Sequence, residues 1–205
     1  MKVLSLLAQK GGTGKSTLAA HLAVEACRTG PKPVVLIDLD PQASLRRWYE
    51  KREAAQPVMI HLGQSNLGHV LGACQRDDVG LVIIDTAPHA LEQAAAAATA
   101  ADLVVIPTRP GVMDIEAIDA TVDIVHGVAA EGVIVINATR PRGSMTAEAR
   151  EALEIYELPI CPTAIVNRAA LADALIDGRG VQELDAKGKT AGEIRAAWRW
   201  IKRRL

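Results

Sequence analysis

A glycine-rich stretch near the start of the chain constrains the fold more than any other part of the sequence. Residues 9–17 read QKGGTGKST, and we call them the glycine loop; they follow the apolar run of residues 3–8 and precede a segment with helical spacing that begins near Ser16. Three closely spaced glycines let the backbone turn so that successive N–H groups point to one spot in front of a helix N-terminus. The order of strand, glycine loop and helix predicts an anion-binding loop at one edge of an α/β sheet.

Short apolar, β-branched runs recur along the rest of the chain. Their continuous apolarity is typical of strands that are covered on both faces, and helical spacing appears between them, as at Ile115, Ile118, Val122 and Val125. Strands and helices in alternation predict a mostly parallel sheet with helices on both faces. We find no linker and no internal repeat, so we expect a single domain over residues 1–205. The predicted strands are residues 3–8, 34–38, 57–62, 81–85, 103–107, 133–137 and 162–166.

Composition excludes several classes of protein. The chain has 205 residues, of which 49% are hydrophobic, and a formal net charge of −1, which favours a globular protein with a substantial core. The first apolar run is too short for a signal sequence or a membrane span. The cysteines, Cys27, Cys74 and Cys161, are far apart and match no metal or iron–sulfur spacing. We therefore expect buried thiols in a reducing cytoplasm.

The glycine loop contains two lysines where a phosphate-binding loop needs one. Lys15 would reach the β and γ phosphates of a nucleotide, and the Ser16 hydroxyl would ligate Mg²⁺. Lys10 stands five residues earlier and cannot easily fold back onto the phosphates that Lys15 serves. The residues expected to bind nucleotide within the loop are Gly11, Gly12, Thr13, Gly14, Lys15, Ser16 and Thr17.

The same residues resemble the signature of a known superfamily. Gln9 replaces the first glycine of the general pattern G-x-x-x-x-G-K-[ST], and K-G-G-T-G-K-S resembles the deviant Walker A motif of the ParA/MinD superfamily of ATPases. VVLIDLDPQAS at 34–44 and LVIIDTAP at 81–88 are similar to the second motif and the Walker B motif of that family. In length and motif order the chain is most similar to small ParA-type proteins that lack an N-terminal helix-turn-helix. The resemblance implies a P-loop NTPase fold of the deviant Walker A type, with ATP and Mg²⁺ as cofactors.

Acidic residues follow two of the predicted strands, at the edge where an open α/β sheet binds its ligand. The resemblance implies that Asp38 supports the Mg²⁺ end of the site and that Asp40 orients the attacking water. It also implies that Asp85 holds Mg²⁺, and we expect a coordinated water between them because magnesium retains several waters beside a nucleotide. Asn137, at the end of VIVIN, stands where the family often places an asparagine that reads the base.

The resemblance gives Lys10 a role outside its own chain. In the family this lysine crosses a two-fold interface and contacts the nucleotide of the other subunit, so Lys10 is expected to act in catalysis and in ATP-dependent homodimerisation. The segment IPTRPGVMD at 106–114, which we call the proline loop, resembles a loop near the base and the dimer interface. Pro107 and Pro110 are equally consistent with simple loop punctuation. The expected activity is ATP hydrolysis to ADP and phosphate, weak alone and stimulated by a partner.

The C-terminal segment decides what a dimer would bind. Residues 187–205 contain seven basic residues and one acid, and Ile194, Ala197, Trp198, Ile201 and Leu205 fall on one helical face. This pattern favours a helix docked on the core with a cationic outer side, although an interfacial membrane helix has the same pattern. We favour non-specific DNA as partner, through phosphate contacts; the candidate residues are Arg168, Arg199, Lys202 and Arg203.

The resemblance also implies a biological setting. It predicts a cytoplasmic, nucleoid-associated protein that partitions or positions cargo with a ParB-like or other small adaptor protein. The resemblance does not distinguish among a plasmid, a chromosome and a protein cluster as the cargo. The alternative is a MinD-like positioning ATPase that cycles on membranes through its basic C-terminal helix.

Overall fold

A computed structural model describes residues 1–30, 33–62 and 66–205. Within them, six strands form one parallel sheet in the order β3-β2-β4-β1-β5-β6. The strands are β1 (Lys2–Leu6), β2 (Val34–Asp38), β3 (Val58–Ile60), β4 (Leu81–Asp85), β5 (Leu103–Thr108) and β6 (Gly132–Ile136). The predicted α/β class with a parallel sheet is confirmed.

Helices cover both faces of this sheet. In chain order they are α1 (Lys15–Thr29), α2 (Ser44–Tyr49), α3 (Leu67–Arg76), α4 (Leu91–Thr99), α5 (Val112–Glu116), α6 (Asp119–Gly127), α7 (Met145–Leu153), α8 (Ala169–Ile176), α9 (Val181–Leu184) and α10 (Lys189–Lys202). A single 3₁₀ turn, Glu154–Tyr156, follows α7. The helical spacing from Ile115 to Val125 is therefore divided between α5 and α6 rather than continuous.

The core has two layers, one on each side of the sheet. Alternate residues of β1 supply both layers, since Leu4 packs with α1 and α10 whereas Val3 packs with α4 and α6. The inner strands are almost wholly buried along their length, which is why their sequences are continuously apolar. All three cysteines are buried as well, as expected.

The segment 162–166 is not a strand, contrary to the sequence-based expectation. It runs beside β6, where the N–H of Ile165 donates to the carbonyl of Ile136 at 2.9 Å, but Val166 forms only an isolated bridge with Thr139. The N–H of Val166 donates instead to Oε2 of Glu193 at 3.0 Å. The bridge with Thr139 uses the carbonyl of Ile165 and the N–H of Asn167, so the N–H of Val166 faces away from Thr139 and binds a side chain of α10.

Helix α10 docks on the core, as its pattern predicts. Ile194, Ala197, Trp198 and Ile201 are at most 2% exposed, and Nε1 of Trp198 donates to the Thr29 hydroxyl at 3.0 Å. The apolar face is therefore buried against the helices of one core layer. In the described parts of the chain, no helix combines the length and apolarity needed to cross a membrane.

Candidate nucleotide site

The glycine loop joins β1 to α1, and two of its glycines have backbone angles that other residues rarely adopt. Gly12 has a φ of 77° and Gly14 a φ of 92°, both in the left-handed region. A Cβ atom on Gly14 would also clash with the side-chain amide of Asn137. The loop therefore needs glycine for conformation and for close approach, as an anion-binding loop does.

Lys15 begins α1 and points back into the loop. Its side chain is buried, and Nζ donates to the carbonyl of Ala8 at 2.9 Å. Burial lowers the pKa of Lys15, and the negative charges of Asp85 and Asp40 partly offset this. A buried ammonium group among carboxylates and loop N–H groups is suited to bind the terminal phosphates of a nucleotide.

Asp85 lies at the carboxyl end of β4, directly opposite Asp38 in the parallel register with β2. It is completely buried, and neither of its carboxyl oxygens accepts a hydrogen bond of normal geometry from the described residues. Burial raises the pKa of Asp85 to about 7; the Ser16 hydroxyl and Lys15 lower it in part, whereas Asp38 raises it further. A buried carboxyl group with two unused acceptors fits a hard cation. Ser16 and Asp85 are thus suitable to hold Mg²⁺.

Asp38 is the last residue of β2, and Asp40 lies in the turn that leads from β2 into α2. Asp38 accepts hydrogen bonds from the backbone N–H groups of Asp40 at 3.0 Å and Arg46 at 3.1 Å. Asp40 accepts one from the N–H of Gln42 at 2.8 Å. Burial raises the pKa of Asp38. Both carboxyl groups are oriented by the backbone at the edge of the sheet that carries the glycine loop, while their separate roles stay predictions.

A cavity of about 300 Å³ opens beside the loop, a size at the lower end of small-molecule sites. Asn137 is one of its lining residues, and its Nδ2 donates to the carbonyl of Thr13 at 2.8 Å. The position fits the predicted contact with a base, which stays a prediction. Sequence reasoning missed several other lining residues, which are Arg109, Ala138, Asn167, Leu171, Ala172 and Leu175. Each of them lies in a segment with a family resemblance: Arg109 in the proline loop, Ala138 in VIVINATR at 133–140 and the others in TAIVNRAALADALIDG at 163–178. The signal was thus the segment and not the individual residue.

Lys10 lies on the proline loop of its own chain. Its Nζ is 2.7 Å from Oδ1 of Asp114 and donates to the carbonyl of Met113 at 3.1 Å. Pro107 lies within β5, and Pro110 is buried in the turn that follows it. The two ends of the glycine loop therefore have different surroundings, with Lys15 inside the site and Lys10 on its rim.

The model of one protein family matches most of the sequence. Residues 4–181 match the CobQ/CobB/MinD/ParA nucleotide binding domain. The chain belongs to this family. The family expected from the motifs is thereby confirmed, and the glycine loop lies within the matched residues.

Two curated relatives match over nearly the whole chain. "Maintenance of carboxysome distribution protein A" of Gloeobacter kilaueensis is 33% identical, with 100% of this chain and 94% of the relative covered. The protein of the same name from Halothiobacillus neapolitanus is 26% identical, with 90% of this chain and 88% of the relative covered. The family resemblance therefore extends from the glycine loop to the C-terminal helices.

Solved structures show the same fold. Apo McdA of Cyanothece superposes with a TM-score of 0.78 at 20% identity, with 100% of this chain and 99% of that chain covered. A McdA variant in complex with ATP gives 0.76 at 20% identity, covering 100% and 96% of the two chains. Cobyrinic acid a,c-diamide synthase of Mycobacterium smegmatis, with a bound ATP analogue and magnesium, gives 0.76 at 18% identity, covering 99% and 94%.

The basic residues proposed from the sequence as DNA contacts fall into two groups. Arg168 forms an ion pair with Glu193 in which Nη1 is 2.8 Å from both carboxyl oxygens, and Nζ of Lys202 donates to the carbonyl of Thr29 at 2.7 Å. The guanidinium groups of Arg199 and Arg203 are exposed and make no hydrogen bond or ion pair with the described residues. The pairing with Glu193 argues against a DNA contact by Arg168, because part of its charge is already neutralised.

Proposed function

We propose that this protein is an ATPase that dimerises on binding ATP, binds DNA non-specifically in that state and positions a cargo. A small adaptor protein would recognise the dimer and stimulate hydrolysis. The observation that carries the proposal is the pair of lysines at the ends of the glycine loop. Lys15 is buried among the carboxylates of its own site, whereas Lys10 lies on the rim.

The chemistry follows from the arrangement of the site. In hydrolysis the γ-phosphoryl group passes to water, and catalysis is mainly positioning and neutralisation of charge. Lys15 and the loop N–H groups would bind the phosphates, while Asp40 would orient the water. Mg²⁺ bound with ATP would supply further neutralisation, held by Ser16 and by Asp85 through a water, with Asp38 in support.

Dimerisation would bring Lys10 to the nucleotide of the partner subunit. For this it must leave Asp114 and Met113, which are on the same chain. The exchange is feasible because Lys10 has a third of its side chain exposed, at 35%, and partly exposed ion pairs contribute little free energy. ATP would then be held between two protomers, so that the dimer forms with the triphosphate and separates after hydrolysis.

A protein assembly is the cargo that the relatives favour. The two relatives of which 88% and 94% of the length is matched carry the name "Maintenance of carboxysome distribution protein A". "Protein ParA" of Rhizobium radiobacter is 35% identical, but over 60% of this chain and 53% of that relative. We therefore place a protein assembly before a plasmid or a chromosome among the three cargoes, and expect the adaptor to bind that assembly.

The DNA-binding surface would lie on the outer side of α10 and just beyond it. Arg199 and Arg203 are exposed there without ion-pair partners in the described structure, which leaves their charges available for phosphates. Lys202 is also exposed, although its ammonium group binds Thr29. We expect nucleoid association through this surface.

Membrane binding through α10 is the less favoured candidate. Ile194, Trp198 and Ile201, the residues that would enter a bilayer, are buried in the core. Insertion would require α10 to leave α1 and expose both surfaces.

The test is retardation of random-sequence DNA by the purified protein with ATP, with ADP and without nucleotide. We expect binding with ATP alone, weakening strongly between about 50 and about 200 mM salt. Replacement of Arg199 and Arg203 by alanine is expected to reduce binding, and replacement of the exposed Arg140 and Arg142 is the charge-matched control. If DNA binding were the same with ATP, with ADP and without nucleotide, the proposed dependence on ATP would be wrong. ATP-driven binding to anionic liposomes in place of DNA would favour the membrane candidate.

A further inference from the structure

Arg109 is a cation at the cavity beside the glycine loop, and the sequence analysis assigns it no role of its own. It is the first residue after β5, and its side chain is exposed. Its guanidinium group makes no hydrogen bond, ion pair or ring contact with the described residues. Arg168, the other arginine that lines this cavity, is paired with Glu193. The cavity therefore has one arginine whose charge is not already neutralised by a carboxylate.

The guanidinium group of Arg109 lies against the glycine loop. A Cβ atom built on Gly12 would be 3.6 Å from Nη2 of Arg109, which is ordinary van der Waals contact. Gly12 has left-handed backbone angles, so Arg109 lies over the turn that directs the loop N–H groups. Arg109 also lines the same cavity as Thr17 and Asn137, so the cation borders both the glycine loop and the residue predicted to contact the base.

We propose that Arg109 is a second phosphate-binding cation for the nucleotide of its own chain, placed at the cavity beside Gly12 and therefore separate from the buried Lys15. The inference rests on the proposed function, because it assumes that the cavity binds ATP. A guanidinium group presents paired N–H donors that match phosphate oxygens, whereas an ammonium group acts as a point charge. Arg109 would thus grip the phosphate nearest the nucleoside, while Lys15 serves the terminal phosphates.

A contact between Arg109 and a phosphate would contribute appreciable free energy to nucleotide binding, because Arg109 has no carboxylate partner. An arginine that must leave a carboxylate partner gains only the difference between two ion pairs. Arg109 has no such partner to leave, so the main cost of a phosphate contact is the loss of its own hydration when nucleotide binds. Hydrogen bonds to charged groups contribute about 1.5–3 kcal/mol, which corresponds to a roughly 10- to 100-fold effect on affinity.

The experiment measures binding of ATP, ADP and adenosine to the full chain by calorimetry, at protein concentrations where ADP keeps it monomeric. Arg109→Ala is expected to weaken ATP and ADP roughly 10-fold or more while leaving adenosine unchanged, and to reduce the salt dependence of ADP binding. Arg109→Lys should recover part of the loss. Arg142→Ala, which removes an exposed arginine outside the cavity, is the matched control, and thermal unfolding verifies that each variant is folded.

Three results would overturn the role of Arg109. The first is unchanged affinity of Arg109→Ala for ATP and ADP, although wild type binds both and requires Lys15. The second is an equal loss for adenosine, which would indicate stacking on the base. The third is a loss confined to the ATP-bound dimer, which would place the contact across the interface. If wild type itself failed to bind ATP, the proposed function would be wrong, and this inference with it.

Discussion

The two ends of the glycine loop place the same side chain in opposite environments. Lys15 is buried, donates to the carbonyl of Ala8 and has its pKa lowered by burial. Lys10 is 35% exposed in its side chain and pairs with Asp114, 104 residues later in the chain. One lysine is fixed inside the site by its own helix, while the other is held on the rim by a contact that it can exchange.

The difference in burial determines the free-energy cost of each ammonium group and of its contacts. A buried ammonium group is costly unless an anion compensates it, and the nearby charges of Asp85 and Asp40 do so for Lys15. An exposed ion pair such as that of Lys10 contributes about 0–1 kcal/mol. The buried lysine is therefore preorganised for a ligand in its own site, whereas the exposed lysine can move to a different anion at little cost.

The largest effect is expected at the buried end. Lys15→Ala removes the ammonium group that would bind the terminal phosphates both before and during hydrolysis. We expect roughly 10- to 100-fold weaker ATP binding, and a further loss of about 10²-fold in turnover because a donor to developing charge is absent. Calorimetry measures the ATP affinity, and phosphate release measures the turnover. If Lys15→Ala bound ATP as tightly as wild type, Lys15 would contribute no more than Lys10 to nucleotide binding in its own chain, and the proposed difference between the two lysines would be wrong.

The carboxylates beside Lys15 give the next effect. Asp40→Asn is expected to reduce hydrolysis by about 10²-fold or more, as for loss of a group that positions or activates a nucleophile, while ATP and Mg²⁺ still bind. Asp38→Asn is expected instead to shift hydrolysis to higher Mg²⁺ concentrations, because it removes support for the Mg²⁺ end of the site. Phosphate release measured against Mg²⁺ concentration separates the two variants. If Asp38→Asn lowered the maximal rate and left the Mg²⁺ concentration for half-maximal hydrolysis unchanged, the two roles would have to be exchanged.

Lys10→Ala tests the exposed end. It is expected to leave ATP affinity of the monomer within about twofold, because Lys10 does not serve its own phosphates, and to weaken ATP-dependent dimerisation at least about 10-fold. Sedimentation velocity with ATP and with ADP measures the dimer. Lys10→Arg, which keeps the charge, is the matched variant. Normal dimerisation of Lys10→Ala with ATP would remove the proposed contact across the interface.

Local sequence was sufficient for part of this site and insufficient for the rest. The glycine loop and Asp85 were predictable because glycine spacing and acids at strand ends depend on residues close together in sequence. Neither the pairing of Lys10 with Asp114 nor that of Arg168 with Glu193 was predictable, since each joins segments whose proximity depends on the folded chain. The prediction of a strand at 162–166 was wrong because apolar residues show that a segment is buried but not how much of it pairs; this segment lies beside β6 and Val166 forms only an isolated bridge with Thr139.

The smallest effect is expected from the carboxylate that holds Lys10. Asp114→Asn removes the ion pair and leaves a side chain of nearly the same size, so the cost for Lys10 to leave its own proline loop falls. A partly exposed ion pair of up to about 1 kcal/mol corresponds to at most about a fivefold gain for each of the two Lys10 side chains that cross in a dimer, at limiting ATP. Glu116→Gln, which removes an exposed carboxylate two residues away on α5, is the control for charge alone. Sedimentation over a series of ATP concentrations should show Asp114→Asn, and not Glu116→Gln, dimerising at lower ATP. Weaker dimerisation of Asp114→Asn would mean that Asp114 itself takes part in the interface. Lys10 and Lys15 would then differ in exposure, but Lys10 would not have to leave Asp114 for the dimer to form.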